Sequence, residues 1–165
     1  MRIILKKGGR AVKLSRLVPG VRARIKRLEV SGELHEKLVG MGFVPGEEIE
    51  IVQVAPLGDP FVCKIGNRNI TLRRREADLI EVEVVGGELP LILADDGTYE
   101  ITRINGGRRF LFRMKNLGIE SGKRIQVSGR RYYIEGREID LGYGEAAKIW
   151  VRRVSDAGEE SHPQK

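Results

Sequence analysis

Short segments in which apolar and polar residues alternate recur along the chain. Between residues 21 and 26, apolar side chains alternate with basic ones, which predicts a β-strand with one apolar and one basic face. Segments rich in Ile and Val predict further strands at residues 47–55, 61–65, 69–73 and 80–85. Corresponding segments in the second half lie at residues 99–104, 124–127, 132–134, 138–141 and 148–154. The pattern predicts a mainly β protein built from short strands.

One helix is predicted to follow the first of these strands in each half of the chain. Apolar residues spaced three and four positions apart within residues 34–41 lie on one helical face. Ser31 is the predicted N-cap of this helix, and Gly42 is predicted to end it. The second half has a comparable helical segment at residues 108–117. Several short strands with one short inserted helix are typical of a small β-barrel.

The two halves are related by an internal sequence repeat. Residues 38–51 match residues 114–127 at a constant offset of 76 positions. Further along, residues 70–82 match residues 139–151 at an offset of 69. The seven missing residues fall around the PLGDP segment of the first copy, so the second copy is predicted to have a shorter hairpin there.

The repeat predicts two small tandem domains in place of one larger domain. Residues 1–85 form the predicted first domain, with a basic N-terminal segment, and residues 86–154 form the second, more degenerate copy. The boundary falls at the Gly86-Gly87 pair, which is typical of a linker. The last segment, residues 155–165, is polar and is predicted to be a disordered tail.

Charge is distributed unevenly between the segments. The 165 residues include 30 Lys and Arg against 23 Asp and Glu, which gives a net charge of +7. Residues 1–28 hold ten of the basic residues and no acidic residue, so the rest of the chain holds 20 basic and 23 acidic residues. A basic segment of this kind suits an acidic partner surface or nucleic acid.

The sequence lacks the features of secreted and membrane-spanning proteins. The longest apolar run, residues 91–94, is far shorter than the ~20 residues that a spanning helix needs. The apolar stretch at the N-terminus is too short for a signal peptide. A single cysteine cannot form an intrachain disulfide. We therefore expect a cytoplasmic protein that is not inserted in a membrane.

Residues that catalyse reactions or bind metals are scarce. Cys63 alternates in phase with Phe61 and Ile65, so its thiol is predicted to face the core. The two histidines, His35 and His162, lie far apart in the sequence and belong to no metal-ligand or catalytic pattern. The sequence also lacks the G-x-x-x-x-G-K-[ST] phosphate-binding motif. We therefore expect a protein that is not an enzyme and that has no cofactor and no resident metal.

Four motifs occur in order in the first half of the chain. They are Leu38 with Met41-Gly42 at the helix end, the turn Pro45-Gly46, the PLGDP loop Pro56–Pro60, and the Leu-Arg-x-x-Glu-Ala stretch Leu72–Ala77. In this combination the segment resembles the ferrous iron transport protein A family, FeoA. The resemblance implies SH3-like β-barrels, here in tandem. It also implies a cytoplasmic accessory protein that binds the cytosolic part of FeoB, the membrane ferrous iron transporter with a GTPase domain, and modulates it.

Three places on the predicted fold offer contacts to such a partner: the PLGDP loop with the residues near it, the basic strand face (Arg22, Arg24 and Lys26), and the last strand. By alternation within residues 149–151, the tryptophan is predicted to point outward, either as an anchor for a partner or as a contact between the two copies. The predicted partner-binding residues are Leu57, Asp59, Arg22, Arg24, Lys26, Arg73 and Trp150.

A nucleic-acid-binding or transcription-regulatory small-barrel module is the alternative. The stretches 73–75, 108–109 and 130–133 carry basic and aromatic residues of the kind found on nucleic-acid-binding surfaces. However, pairing of the first and last strands of the first domain would set the basic strand face near Glu81 and Glu83. Ion pairs with these carboxylates would neutralise that face and weaken the alternative.

Overall fold

The computed structural model describes residues 11–154, and these form two compact units that divide between Gly86 and Gly87. The predicted tail at residues 155–165 and the first ten residues of the basic segment lie outside the described residues. The two units are called the first and the second domain below.

The first domain is a six-stranded antiparallel sheet with two short helices. Its strands follow the order β1-β6-β2-β3-β4-β5, so the first long strand, β2, pairs with the last strand, β6, as predicted. The short strand β1 and the 3-10 helix after it were not predicted. The elements are β1 (Ala11–Lys13), a 3-10 helix (Leu14–Arg16), β2 (Arg22–Leu28), α1 (Glu33–Met41), β3 (Glu48–Val54), β4 (Phe61–Ile65), β5 (Arg68–Leu72), α2 (Arg74–Ala77) and β6 (Ile80–Val84).

Alternating residues of these strands build the core of the first domain. In β4, for example, Phe61, Cys63 and Ile65 are buried and the residues between them are more exposed. The prediction that Cys63 packs in the core is confirmed. Helix α1 adds Leu38, which is fully buried, and Phe43 lies fully buried just after the helix.

The second domain repeats the topology of the first. Its strand order, β11-β10-β9-β8-β12-β7, corresponds strand by strand to the order in the first domain. The sequence repeat is therefore a repeat of structure, and the prediction of a mainly β fold in two tandem domains is confirmed. The elements are β7 (Leu89–Pro90), a 3-10 helix (Leu91–Leu93), β8 (Gly97–Ile104), α3 (Arg108–Asn116), β9 (Arg124–Ser128), β10 (Arg131–Ile134), β11 (Arg137–Ile139), α4 (Tyr143–Ala146) and β12 (Ile149–Arg153).

The two domains differ most in one hairpin. Six residues, 55–60, connect β3 and β4, whereas Gly129 and Arg130 alone connect β9 and β10. The prediction of a shorter hairpin in the second copy is confirmed. The PLGDP loop is thus a feature of the first domain.

Glycines fix both ends of helix α1. Gly42 has a φ of +112° at the C-cap, a conformation that costs a residue with a side chain more than it costs glycine. The N-cap is Gly32, and no side chain caps this end, so the prediction of Ser31 as N-cap is wrong by one residue. No helix among residues 11–154 combines the length and the apolar character needed to cross a membrane.

Candidate functional site

The PLGDP loop and the start of α2 form one surface, which we call the loop face (residues 55–60 with Arg73 and Arg74). Leu57 is 95% exposed at the loop tip. Behind it, Asp59 Oδ1 accepts a hydrogen bond of 3.0 Å from the Arg74 backbone N–H. The guanidinium of Arg73 lies 3.9 Å from the same carboxylate. The structure therefore brings together three of the predicted contact residues, Leu57, Asp59 and Arg73.

Contacts on both sides hold the loop face in shape. The Gly58 N–H donates to the Ala55 carbonyl at 2.7 Å, and the Ala55 N–H donates to the Pro60 carbonyl at 3.0 Å. The Arg74 side chain donates to the Gly58 carbonyl at 3.3 Å and lies 5.9 Å from the ring centre of buried Phe61. Because these bonds restrain the loop backbone, the loop loses less backbone entropy when its tip is bound.

The basic strand face carries ion pairs that differ from the predicted ones. Arg22 and Arg24 lie 3.6 Å and 3.3 Å from the carboxylate of Glu48 on β3. Lys26 is exposed and has no ion pair with any residue between 11 and 154. Strand pairing was predicted to set these residues near Glu81 and Glu83 on β6, and Arg24 does lie opposite Glu83. The predicted ion pairs are not formed, since Arg22 and Arg24 pair with Glu48 instead.

Two features of the sheet explain the difference. Strand β2 lies between β6 and β3, so the carboxylates of β3 compete for its arginines. A bulge between Ile25 and Arg27 also shifts the register, and Arg27 instead reaches Glu81 at 2.7 Å. The carboxylates nevertheless neutralise part of this face, as the sequence analysis anticipated.

Ile149 and Val151 belong to the core cluster of the second domain and Trp150 does not, as the alternation predicts. The Trp150 side chain is nevertheless only 5% exposed, so it is not an exposed anchor. Strand β12 lies between β8 and β7, and the bulge beside Trp150 places its extra residue, Thr102, on β8, so the alternation within β12 continues. The Arg103 guanidinium covers the indole at 4.2 Å from the ring centre, within the range of a cation–π interaction. The buried indole therefore offers little surface to a partner.

The repeat explains why a tryptophan occupies this position. Arg103 corresponds to Arg27 at the offset of 76, and Trp150 corresponds to Glu81 at the offset of 69. The first domain thus has an ion pair where the second has a cation–π contact. Glu88 accepts a hydrogen bond from Arg103 Nε at 3.0 Å and keeps the guanidinium in place.

A second equivalent pair of contacts joins the two helices of each domain. Lys37 Nζ lies 3.0 Å from Glu76 Oε2 in the first domain, and Arg113 Nε lies 2.8 Å from Glu145 Oε2 in the second. The pKa of Glu76 is lowered by the N–H of Arg73 and by Lys37, against the opposing effect of burial. These pairs were not predicted, although the repeat places all four charges at matching positions.

The described residues contain no ready metal site. Nowhere in residues 11–154 do three or more His, Cys, Asp or Glu side chains converge as metal ligands would. Burial raises the pKa of the Cys63 thiol to about 12, so the group is neutral at physiological pH and is a poor metal ligand or nucleophile.

The sequence profile of the FeoA domain matches this chain twice, over residues 12–84 and 92–153. The chain belongs to the FeoA family. Each match covers one of the two domains, and the resemblance noted from the sequence motifs is confirmed.

Three similar proteins show how closely this chain is related to other FeoA proteins. Iron(II) transport protein A from Clostridium thermocellum, solved in solution, is 95% identical over 93% of this chain and 95% of its own, with a TM-score of 0.72. The FeoA of Stenotrophomonas maltophilia, crystallised with zinc and described as a prokaryotic SH3 domain protein, is 28% identical over 43% of this chain and 88% of its own, with a TM-score of 0.39.

The third relative is a longer protein. The Fe(2+) transport protein A/Fe(2+) transporter FeoB fusion protein of Porphyromonas gingivalis (strain ATCC BAA-308 / W83) is 43% identical over 74 residues. Those residues are 45% of this chain but only 9% of the fusion protein. In that relative, an FeoA segment and an FeoB transporter share one polypeptide.

Proposed function

We propose that this protein is a non-enzymatic cytoplasmic accessory of ferrous iron transport that binds the cytosolic part of an FeoB-type transporter and modulates it. The observation that carries the proposal is the relative that has FeoA and FeoB in one chain. A covalent link holds two modules at high effective concentration, so it suits modules that act on each other. A separate chain needs its own contact surface to reach the same arrangement.

The loop face is the contact surface that the geometry favours. It combines a fully projecting leucine, Leu57, with the charged groups of Asp59 and Arg73 behind it. An apolar tip surrounded by polar groups has the arrangement of a protein–protein interface, which is an apolar centre within a polar rim. The basic strand face of Arg22, Arg24 and Lys26 would meet acidic groups on the partner, which favours fast association more than tight binding.

A pull-down of the full chain with the soluble cytosolic domain of FeoB tests the proposal, with and without guanine nucleotide. The wild type is expected to be retained, and Leu57→Asp is expected to reduce retention at least tenfold, because it removes an apolar contact and adds a charge. Leu111→Asp is the matched control, since Leu111 is an exposed leucine of the second domain. Retention of no wild-type protein in either condition would contradict the proposal.

The nucleic-acid alternative is tested in parallel. Binding of duplex DNA and of single-stranded DNA and RNA is measured across a salt series, because neutralised phosphates give a steep salt dependence. We expect weak binding, since Glu48 and Glu81 already pair with three of the arginines of β2. Micromolar or tighter affinity with a slope of several log units per log of salt would favour the alternative.

A further inference from the structure

Helix α3 of the second domain exposes an unusual set of apolar side chains. Phe112 is 66% exposed and Leu111 is 42% exposed. Tyr143, at the start of α4, is 64% exposed. Arg113 of α3 holds Glu145 of α4 through two hydrogen bonds of 2.8 Å and 3.2 Å, so the two helices present these side chains from a fixed frame. We call the exposed residues of α3, together with Tyr143, the α3 face.

Basic residues surround this apolar tip. On a helix, the neighbours of a residue lie three and four positions away, which places Arg108, Arg109 and Lys115 around Phe112. All three are exposed, and none forms an ion pair with a carboxylate among residues 11–154. The segment 101–119 contains five basic residues and no acidic one. The α3 face is therefore cationic as well as apolar.

The equivalent helix of the first domain has a different character. At the offset of 76, Leu111 and Phe112 correspond to His35 and Glu36. Helix α1 has two acidic residues in its first turn, whereas the first turn of α3 has none and carries two arginines. Arginines at a helix N-terminus oppose the helix dipole, so helix stability does not account for them.

We propose that the α3 face docks on an anionic lipid surface. Aromatic and leucine side chains that project from a helix among unpaired Lys and Arg are the combination that favours the interface of an anionic bilayer. A bilayer accepts convex apolar tips without a complementary pocket, whereas a protein partner has to supply one. Leu111 adds apolar area that a nucleic-acid backbone cannot use. The docking is peripheral and reversible, because only a few side chains enter the interface.

This inference is independent of the proposed contact with FeoB. It uses residues of the second domain, whereas the loop face and the basic strand face belong to the first. A protein that docks on the membrane surface through one domain would keep the other domain close to a membrane transporter.

The test is co-sedimentation of the full chain with lipid vesicles. One set of vesicles contains phosphatidylcholine alone, and the other contains three parts phosphatidylcholine to one part phosphatidylglycerol. The wild type is expected to sediment with the anionic vesicles only, and to be released by high salt. Arg108→Glu/Arg109→Glu removes two positive charges from the α3 face. Each lost charge is expected to weaken vesicle binding about fivefold, so the variant is expected to bind at least about 25-fold more weakly than the wild type.

Two further variants distinguish binding through the α3 face from binding through the net charge of the domain. Lys123→Glu/Arg137→Glu changes the net charge of the second domain by the same amount, at exposed positions outside α3. This variant is expected to bind vesicles within about threefold of the wild type, because salt screens charges that lie outside the docked face. Phe112→Ser keeps every charge and is expected to weaken binding about tenfold. Near-ultraviolet circular dichroism establishes that each variant is folded.

Three results would overturn the inference. In the first, the wild type does not sediment with anionic vesicles. In the second, the α3 variants sediment as well as the wild type, which would assign the lipid affinity to another part of the chain, such as the basic residues 1–28. In the third, the wild type binds duplex DNA or single-stranded RNA but not vesicles, which would make the α3 face a nucleic-acid surface.

Discussion

The thiol of Cys63, the single cysteine of the sequence, is expected to react slowly because it is buried. Cys63 is fully buried in β4, and burial raises its pKa to about 12. Because the thiolate is the reactive form, a thiol reagent is expected to label native protein far more slowly than protein unfolded in urea. Absorbance of the released reagent measures both rates. Immediate stoichiometric labelling of the native protein would contradict the buried placement.

The Glu76 carboxylate is expected to stabilise the protein only in its charged form. Its pKa is lowered by the Arg73 N–H and by Lys37, so the folded state binds its proton less tightly than the unfolded state. The stabilisation is therefore fully present above the unfolded pKa of about 4.3 and is lost as the pH falls through the lower folded pKa.

Urea unfolding of wild type and Glu76→Gln across a pH series measures this effect. At neutral pH the variant is expected to unfold with a free energy lower by roughly 1–3 kcal/mol, since it loses charge-assisted hydrogen bonds. The two proteins are expected to converge in acid. A difference that stays constant down to acid pH would show that the Glu76 charge is unimportant. Glu145→Gln, at the equivalent but more exposed site, serves as the milder comparison.

Individual side chains show where sequence reasoning succeeds and where it fails. Alternation placed Cys63 in the core correctly, because β4 is regular from end to end. At Trp150 the same rule correctly separated the side chain from Ile149 and Val151 of the core. The residue is nevertheless buried, because an unpredicted strand, β7, pairs beside it and Arg103 covers the indole.

At the scale of elements, the end of α1 depends on one glycine. Gly42→Ala is expected to lower the free energy of unfolding by roughly 1–2 kcal/mol, because the φ of +112° disfavours a side chain. A Cβ there would also lie 3.0 Å from the Arg68 guanidinium. Gly40→Ala is the matched control: it lies within the helix with open space around it, and is expected to stabilise by up to about 1 kcal/mol. Urea unfolding distinguishes the two, and equal effects of one sign would contradict this account.

The two arginines at the start of helix α3 are expected to lower the free energy of unfolding while they strengthen binding to anionic vesicles. Arg108→Glu/Arg109→Glu places favourable charges at the helix N-terminus, so the variant is expected to be more stable by roughly 0.5 kcal/mol while it loses vesicle binding. Urea unfolding at low salt measures the first effect. A variant that loses both stability and lipid binding would point to a structural role for these arginines instead.

Most elements could be predicted from the sequence, and the exceptions have physical reasons. The long helices and strands were placed within a few residues because their periodicity extends over several turns or pairs. Strand β1 (Ala11–Lys13) and strand β7 (Leu89–Pro90) were missed because two or three residues carry no readable period. The PLGDP segment predicts the loop face through its turn chemistry, whereas the basic and aromatic residues of the α3 face are equally typical of a nucleic-acid surface, so the sequence alone does not distinguish the two.

At the scale of the whole molecule, the two domains share a topology but differ in their surfaces. The first domain carries the PLGDP loop, which the second lacks. The second carries the exposed Phe112 with Arg108 and Arg109, which pair with no carboxylate among residues 11–154, where the first has Glu33 and Glu36. Differences of this kind between copies of one fold are expected when the copies serve different partners.

An equilibrium titration of the full chain with the isolated cytosolic domain of FeoB tests the central claim most directly. Isothermal calorimetry is carried out without nucleotide and with bound guanine nucleotide, and the GTP hydrolysis rate of the domain is followed over the same titration. We predict saturable binding with micromolar or tighter affinity, binding at least tenfold weaker for Leu57→Asp, and a change in the hydrolysis rate that follows occupancy. An absence of binding in every nucleotide state would contradict this claim.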